Sequence, residues 1–205
     1  MIAHDSYVDE VKGFYEKVTK LKNKKRNLKV LLALGGWNDS EGDKYSKLVN
    51  DPEKRKKFVQ SAVAFLKENN FDGLDLDWEY PTCWQVDCTA GPSADKAAFT
   101  AWVKELSKAM KAEKDKLILT AAVSPAANVV QKAYNVPELA KYLDYVSVMT
   151  YDYHGQWDKQ TGHVAPMYRH PDDLDSTFNV MSICFVIIPI LRNSKTCKLS
   201  RNTKL

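Results

Sequence analysis

The 205-residue sequence has no apolar run long enough to cross a membrane and no large excess of either charge. Its most apolar stretch, 183–191, is short and interrupted by Pro189, whereas a membrane-spanning helix needs about 20 apolar residues. The formal net charge is only +4, from 30 basic and 26 acidic residues. We therefore expect neither a membrane protein nor a nucleic-acid-binding protein.

Signals for secretion and for metal binding are also missing from this chain. Residues 1–5 lack the basic and long apolar segments of a signal peptide, so we expect none here. The four histidines have no metal-ligand spacing and no acidic loop resembles an EF-hand, so we expect no metal and no cofactor. Among four cysteines, Cys83 and Cys88 lie close together in a polar loop. Their spacing fits either a local disulfide or two free thiols.

Hydrophobic periodicity predicts strands that alternate with helices along most of the chain. The predicted strands are 28–34, 71–80, 117–123 and 145–151, and the predicted helices are 7–25, one beginning at Pro52, 94–114 and 136–142. The first strand is almost continuously apolar, as expected of a strand buried on both faces. This alternation predicts a parallel sheet with right-handed crossovers.

Two kinds of parallel sheet fit this order, an open doubly wound sheet and a (β/α)₈ barrel. The pair Gly35-Gly36 is neither a dinucleotide-binding fingerprint nor a phosphate-binding loop, so nothing favours a nucleotide-binding open sheet. Polar and aromatic residues instead follow the carboxyl ends of all four strands, where a barrel places its active site. The sequence therefore favours the barrel.

One predicted strand carries three acidic residues on one face. Because side chains alternate across a strand, Asp75, Asp77 and Glu79 share one face, while Leu74 and Trp78 lie on the other. An exposed edge strand or a magnesium or calcium site would each explain such a row. A third explanation is acid catalysis, because neighbouring carboxylates repel and one of them then keeps its proton. Glu79, the outermost acid, is the candidate proton donor.

Asp72, Asp75, Asp77 and Glu79 together resemble the signature of family-18 glycoside hydrolases, the chitinases and their relatives. Segments 34–37 and 148–155 resemble that family's third and sixth strands, and the loop 80–88 is most similar to arthropod chitinases. The resemblance covers residues 1–179 and implies a partial (β/α)₈ TIM barrel, with strands about 3 to 6 present and the first and last strands missing. Residues 180–205 form an unmatched tail.

The resemblance implies a role for each matched side chain. Family-18 enzymes retain anomeric configuration and use the substrate's own acetamido group as nucleophile. Glu79 would then act as general acid and base, and Asp77 would hold the acetamido N–H and share a proton with Asp75. Tyr151 would donate its hydroxyl to the acetamido oxygen. The other substrate-binding residues would be Tyr80, Met149 and Asp152.

The tryptophans divide into packing residues and candidate sugar contacts. Trp37 follows the Gly-Gly strand end and is the candidate sugar-stacking surface, with simple packing as its alternative. Trp78 and Trp102 are predicted to lie in the core. For Trp84 and Trp157, substrate contact and loop packing are equally open.

The implied function is hydrolysis of β-1,4 linkages between N-acetylglucosamine units of chitin or chitooligosaccharides by an extracellular enzyme. The alternatives are a chitin-binding lectin without turnover and an inactive truncated product. The sequence leaves the oligomeric state open.

Overall fold

The computed structural model describes residues 6–173 and 175–183. Its centre is a sheet of four strands, all parallel, in the order β1-β2-β3-β4. The strands are β1 (Leu31–Gly35), β2 (Gly73–Asp77), β3 (Ile118–Val123) and β4 (Tyr145–Val148). The predicted parallel sheet is therefore confirmed, and each predicted strand has an observed counterpart.

Helices connect the strands. They are α1 (Phe14–Thr19), α2 (Lys44–Val49), α3 (Pro52–Glu68), α4 (Ala94–Ala112), α5 (Ala127–Ala133) and α6 (Val136–Leu139). The start of α3 shows how the sequence caps a helix. Pro52 occupies the first turn, and the Asp51 side chain accepts hydrogen bonds from the amides of Glu53 and Lys54. These contacts satisfy amides that have no partner inside the helix.

The structure differs from the sequence-based prediction in three segments. The predicted helix 7–25 is broken, because Gly13 adopts a left-handed φ of 64° between a π-helical turn (Tyr7–Val11) and α1, and a 3₁₀ turn (Lys20–Asn23) follows. The predicted loop after Trp37 contains helix α2, and helix α5 was not predicted. These short helices have too few turns to give a clear period in the sequence.

The two faces of β2 differ as the alternation predicts. Leu74, Leu76 and Trp78 are buried with α3 and α4 in the hydrophobic core, whereas Asp75 and Asp77 point to the opposite face. Gly73 lies so close to β3 that an added Cβ would be 2.0 Å from the carbonyl oxygen of Ile118. A side chain at this position would push the two strands apart.

The outer strands of the sheet are less covered than its centre. The expectation that 28–34 is buried on both faces is wrong, because β1 lies at an edge and Ala33 is exposed. Tyr145 on β4, at the other edge, is exposed as well. Most of the predicted tail 180–205 falls outside the described residues.

Candidate active site

The acidic face of β2 forms the floor of the site. The Asp75 carboxylate accepts a hydrogen bond from the Thr120 hydroxyl on β3. The neighbouring Asp77 has a buried Oδ1 with no hydrogen-bond donor in the part of the chain that the structure describes. Glu79 follows two residues later and is 9% exposed. The structure thus brings the three predicted acids together on one face.

Burial and mutual repulsion make Asp77 and Glu79 hold their protons more tightly. Burial raises the pKa of Asp77, and the charge of Asp75 raises it further. Burial also raises the pKa of Glu79, to which the charges of Asp77 and Asp152 add, while a side-chain hydrogen bond with Tyr80 lowers it in part. A raised pKa favours the protonated carboxyl that an acid catalyst requires.

The backbone of Glu79 is held from both sides. Its N–H donates to the hydroxyl oxygen of Ser40, at 2.9 Å, and its carbonyl oxygen accepts from the amide of Gln85, at 3.1 Å. Ser40 is fully buried in the loop after β1, and its hydroxyl also lies 3.4 Å from the carbonyl oxygen of Asp77. These contacts fix the direction in which the Glu79 carboxylate leaves the sheet.

Two glycines at the end of β1 allow its backbone to lie close to the backbone of Asp77. The Gly36 amide donates to the Asp77 carbonyl oxygen at 2.7 Å. Gly35 has a φ of 117°, and an added Cβ would lie 2.2 Å from the same oxygen. Only glycine can therefore occupy position 35 while β1 and the carboxyl end of β2 remain paired.

Tyr80 follows Glu79, and its ring is buried while its hydroxyl interacts with Glu79 and Ser124. Burial and the charge of Glu79 raise the pKa of this phenol, so it stays protonated. Ser124, at the carboxyl end of β3, is itself buried. Tyr80 therefore supports the carboxylate and also lines the cleft described below.

The segment after β4 supplies the opposite wall. Met149 extends the pairing with β3, because its amide donates to the carbonyl oxygen of Val123 at 3.0 Å. Tyr151 is 49% exposed, and its pKa is raised by burial and by the charges of Asp77 and Glu79. Tyr151 therefore lies close enough to Asp77 and Glu79 for their charges to act on its phenol. Asp152 adopts a left-handed φ of 56° directly after it.

A cleft of about 970 Å³ runs between these two walls. Its lining contains six of the predicted site residues: Trp37, Glu79, Tyr80, Met149, Tyr151 and Asp152. Asp75 and Asp77 are not part of the lining and lie deeper, on the sheet. A cleft of this size suits several sugar rings and exposes Glu79 to them.

The five tryptophans occupy three kinds of position: the cleft, the loop after β2 and the core. Trp37 is 47% exposed and Trp157 is 63% exposed, and both line the cleft, which matches the substrate-contact interpretation of each. Trp84 packs within its loop instead, with its indole N–H donating to Asp95 at 3.1 Å. Trp78 and Trp102 are buried in the core, as predicted.

The loop between β2 and α4 is closed by a disulfide. Cys83 and Cys88 are bonded, so the disulfide alternative is confirmed. Val86, between them, is exposed and lines the cleft. The loop therefore contributes a wall of the site as well as a covalent tie.

Asp72 is the acid of the motif that forms ion pairs with lysine side chains before β2 begins. Burial alone would raise its pKa, but the hydrogen bond from the Val30 amide and the ammonium groups of Lys29 and Lys22 outweigh that effect and lower it. Asp72 precedes β2 and joins it to the chain entering β1. Its place in the motif is structural.

Several residues of the site were missed in the sequence. Ser40, Gln85 and Ser124 contact Glu79 or Tyr80 but lie in loops, where no periodicity marks them. Thr120 could have been found, since it shares the face of β3 that pairs with Asp75.

Neither a metal centre nor a membrane span is visible in the described ranges. Within 6–173 and 175–183, no group of three or more His, Cys, Asp or Glu residues is arranged to hold a metal ion. Over the same residues no helix is both long and apolar enough to cross a bilayer.

Comparison with known families identifies the family of the chain. The family model described as Glycosyl hydrolases family 18 matches residues 1–187. The chain belongs to this family. The match extends past the predicted boundary at residue 179, and the division into 1–179 and 180–205 stays a prediction.

Relatives and solved structures agree with the family assignment. A family-18 chitinase catalytic domain from Ostrinia furnacalis matches with 56% identity and a TM-score of 0.88, over 92% of this chain and 48% of that one, and was solved in complex with penta-N-acetylchitooctaose, (NAG)5. Probable chitinase 10 of Drosophila melanogaster is 54% identical over 86% of this chain and 8% of its own length. Mouse chitotriosidase-1 is 40% identical over 76% of this chain and 33% of its own length.

This family-18 chain spans about half the length of the solved catalytic domain that it matches. The described sheet accordingly has four parallel strands, where a (β/α)₈ barrel has eight. The predicted partial TIM barrel is therefore confirmed.

Proposed function

We propose that this chain hydrolyses β-1,4 linkages between N-acetylglucosamine units of chitin by a retaining, substrate-assisted mechanism. The observation that carries the proposal is the position of Glu79: a nearly buried carboxyl at the wall of the cleft, with a raised pKa and a backbone held on both sides. Family-18 membership supports chitin hydrolysis in general terms.

Glu79 acts first as general acid. Its carboxyl proton passes to the glycosidic oxygen while the bond from that oxygen to the anomeric carbon breaks. The acetamido oxygen of the same sugar forms the new bond to the anomeric carbon, giving an oxazolinium ion. Glu79, now a carboxylate, removes a proton from the water that opens this ion, and the anomeric configuration is retained.

Asp77 and Asp75 support the acetamido group. The buried Oδ1 of Asp77 has no donor among the described residues, so it can accept the acetamido N–H of a bound sugar. Its negative charge then stabilises the positive oxazolinium ring. Asp75, fixed by the hydrogen bond from Thr120, shares a proton with Asp77.

The cleft walls position the sugar. Tyr151 donates its hydroxyl to the acetamido oxygen, and Met149, Asp152 and Tyr80 line the same subsite. The exposed face of Trp37 stacks against the C–H face of a pyranose further along the chain. These contacts select a β-linked amino sugar polymer as the substrate class.

We also propose an extracellular location, since the Cys83–Cys88 disulfide is typical of oxidising compartments. A lectin without turnover has less support, because such a protein does not need the proton donor Glu79 that this chain keeps.

The stereochemistry of the product tests the mechanism. The chain is incubated with chitopentaose and the new reducing ends are followed by proton NMR before mutarotation. We expect the β-anomer to form first. Initial formation of the α-anomer would contradict the substrate-assisted mechanism while leaving hydrolysis intact.

A further inference from the structure

Gln85 touches both functional parts of the cleft. Its backbone amide donates to the carbonyl oxygen of Glu79 at 3.1 Å, and its side-chain Nε2 donates to the carbonyl oxygen of Trp37 at 2.8 Å. Glu79 carries the carboxyl proposed to react, and Trp37 carries an exposed indole of the cleft. One residue therefore links the two segments through two separate hydrogen bonds.

The loop that carries Gln85 is firmly anchored. The Cys83–Cys88 disulfide closes it, and the Gly91 amide donates to the Thr82 carbonyl oxygen at 3.1 Å at its base. The indole of Trp84 is fixed on Asp95, which is fully buried. Gln85 consequently projects from a braced segment, so its side chain can hold a neighbouring loop in place.

The backbone of this loop is also unusual. Gln85 and Val86 adopt left-handed φ values of 46° and 66°, and Thr82 has a φ of 63°. Each such conformation costs about 1 kcal/mol or more for a residue with a Cβ. Residues in this region persist where the surroundings hold them, and they are frequent at ligand-binding sites. Here the conformation directs the Gln85 side chain toward Trp37.

From these contacts we infer that Gln85 is a positioning residue that sets the Trp37 indole relative to the Glu79 carboxyl. It thereby makes the cleft specific for sugar chains long enough to reach both. This inference rests on the proposed function, because it assigns Trp37 and Glu79 to one oligosaccharide. Gln85 itself does not need to touch the reacting atoms.

The test compares Gln85→Ala and Gln85→Glu with the native chain. Both variants remove the Nε2 donor and leave the backbone amide that holds Glu79, and Gln85→Glu keeps the size of the side chain. Thr89→Ala is the matched control, because Thr89 lies in the same loop and its hydroxyl donates to Asp87 within that loop. Two measurements are made on each protein.

The first measurement is amide hydrogen exchange over residues 36–41. The amides of Ser40 and Glu41 donate within this turn, to Gly36, Trp37 and Asn38. We expect exchange there to rise about threefold to tenfold in both Gln85 variants, as for the loss of one hydrogen bond, and to stay native in Thr89→Ala. Unchanged exchange in the Gln85 variants, or a native rate in Gln85→Glu alone, would overturn the positioning role. This arm does not depend on activity.

The second measurement is steady-state hydrolysis of chitopentaose and of a fluorogenic chitobioside. We expect the KM for the pentamer to rise about threefold to tenfold in both Gln85 variants, with kcat and the KM for the short substrate within about twofold of native. Equal effects on both substrates would refute the length dependence. Absence of turnover in the native chain would instead reject the proposed function, and the exchange data would still decide whether Gln85 holds the Trp37 loop.

Discussion

At the scale of single residues, the site depends on how neighbouring carboxyls change one another's pKa. Asp77 and Glu79 both have a raised pKa, mainly through burial and then through the negative charge of the next acid. The alternation of the strand was enough to predict that these acids share a face. The partners that hold them, Ser40 and Gln85, could not be predicted, because their contacts depend on how two loops fold over the sheet.

The Asp77→Asn variant separates the charge effect from burial. Removing the Asp77 charge lowers the pKa of Glu79 only in part, because burial is the larger cause. We expect the basic limb of the kcat/KM profile to move to lower pH, with a lower maximum because the acetamido N–H loses its acceptor. The profile is measured with a fluorogenic chitobioside. A basic limb at the native pH would show that Asp77 does not act on Glu79.

The same shifts predict how stability depends on pH. A carboxyl whose pKa is raised by folding stabilises the folded state fully below its unfolded value, here 3.8 for Asp77 and 4.5 for Glu79, and this contribution is lost as the pH rises through the folded value. We therefore expect the unfolding temperature of Asp77→Asn to change in the variant's favour, relative to that of the native chain, as the pH rises over this range. Calorimetry across pH 3.5–7 checks this, and an equal slope in both proteins would contradict it.

At the scale of elements, the start of α4 organises the wall of the site. The fully buried Asp95 carboxylate accepts hydrogen bonds from the side chains of Ser46, Asn50 and Trp84, at 2.6, 2.6 and 3.1 Å. It thereby joins α2, α4 and the disulfide-closed loop. Helix α4 was predicted from its long apolar period, whereas α2 was missed, since it is too short to show one.

The Asp95→Ala variant should weaken this junction strongly. Several buried donors would lose their acceptor at once, and we expect the free energy of unfolding to fall by about 2–4 kcal/mol in urea denaturation. Glu16→Gln, which removes an exposed ion pair on α1, serves as the control and should leave the unfolding midpoint unchanged. Similar effects in both variants would rule out the junction role.

At the scale of the whole molecule, the described sheet is open at both edges. Val11 and Phe14, in the helical segment before β1, and Tyr145 on β4 are exposed apolar residues. The barrel could be inferred from the polar residues that follow four strand ends. The residues that would face them across the cleft could not be inferred, because four strands do not determine how a sheet closes.

These exposed residues predict self-association. Exposed apolar side chains at sheet edges favour contacts between molecules, so we expect the weight-average mass in light scattering to rise with concentration. The double variant Val11→Lys, Phe14→Lys should reduce this rise without lowering the unfolding midpoint. A native chain that stays monomeric at all concentrations would contradict this expectation.

The central claim, that Glu79 is the acid of a chitin-hydrolysing site, is tested most directly by the Glu79→Gln variant. The native chain and the variant are assayed on a fluorogenic N-acetylglucosamine oligomer across pH, and oligomer binding is measured in parallel by calorimetry. We expect turnover in the native chain and a loss of at least about a hundredfold in the variant, with binding retained. Turnover that survives in Glu79→Gln, or its absence from folded native protein, would contradict the account.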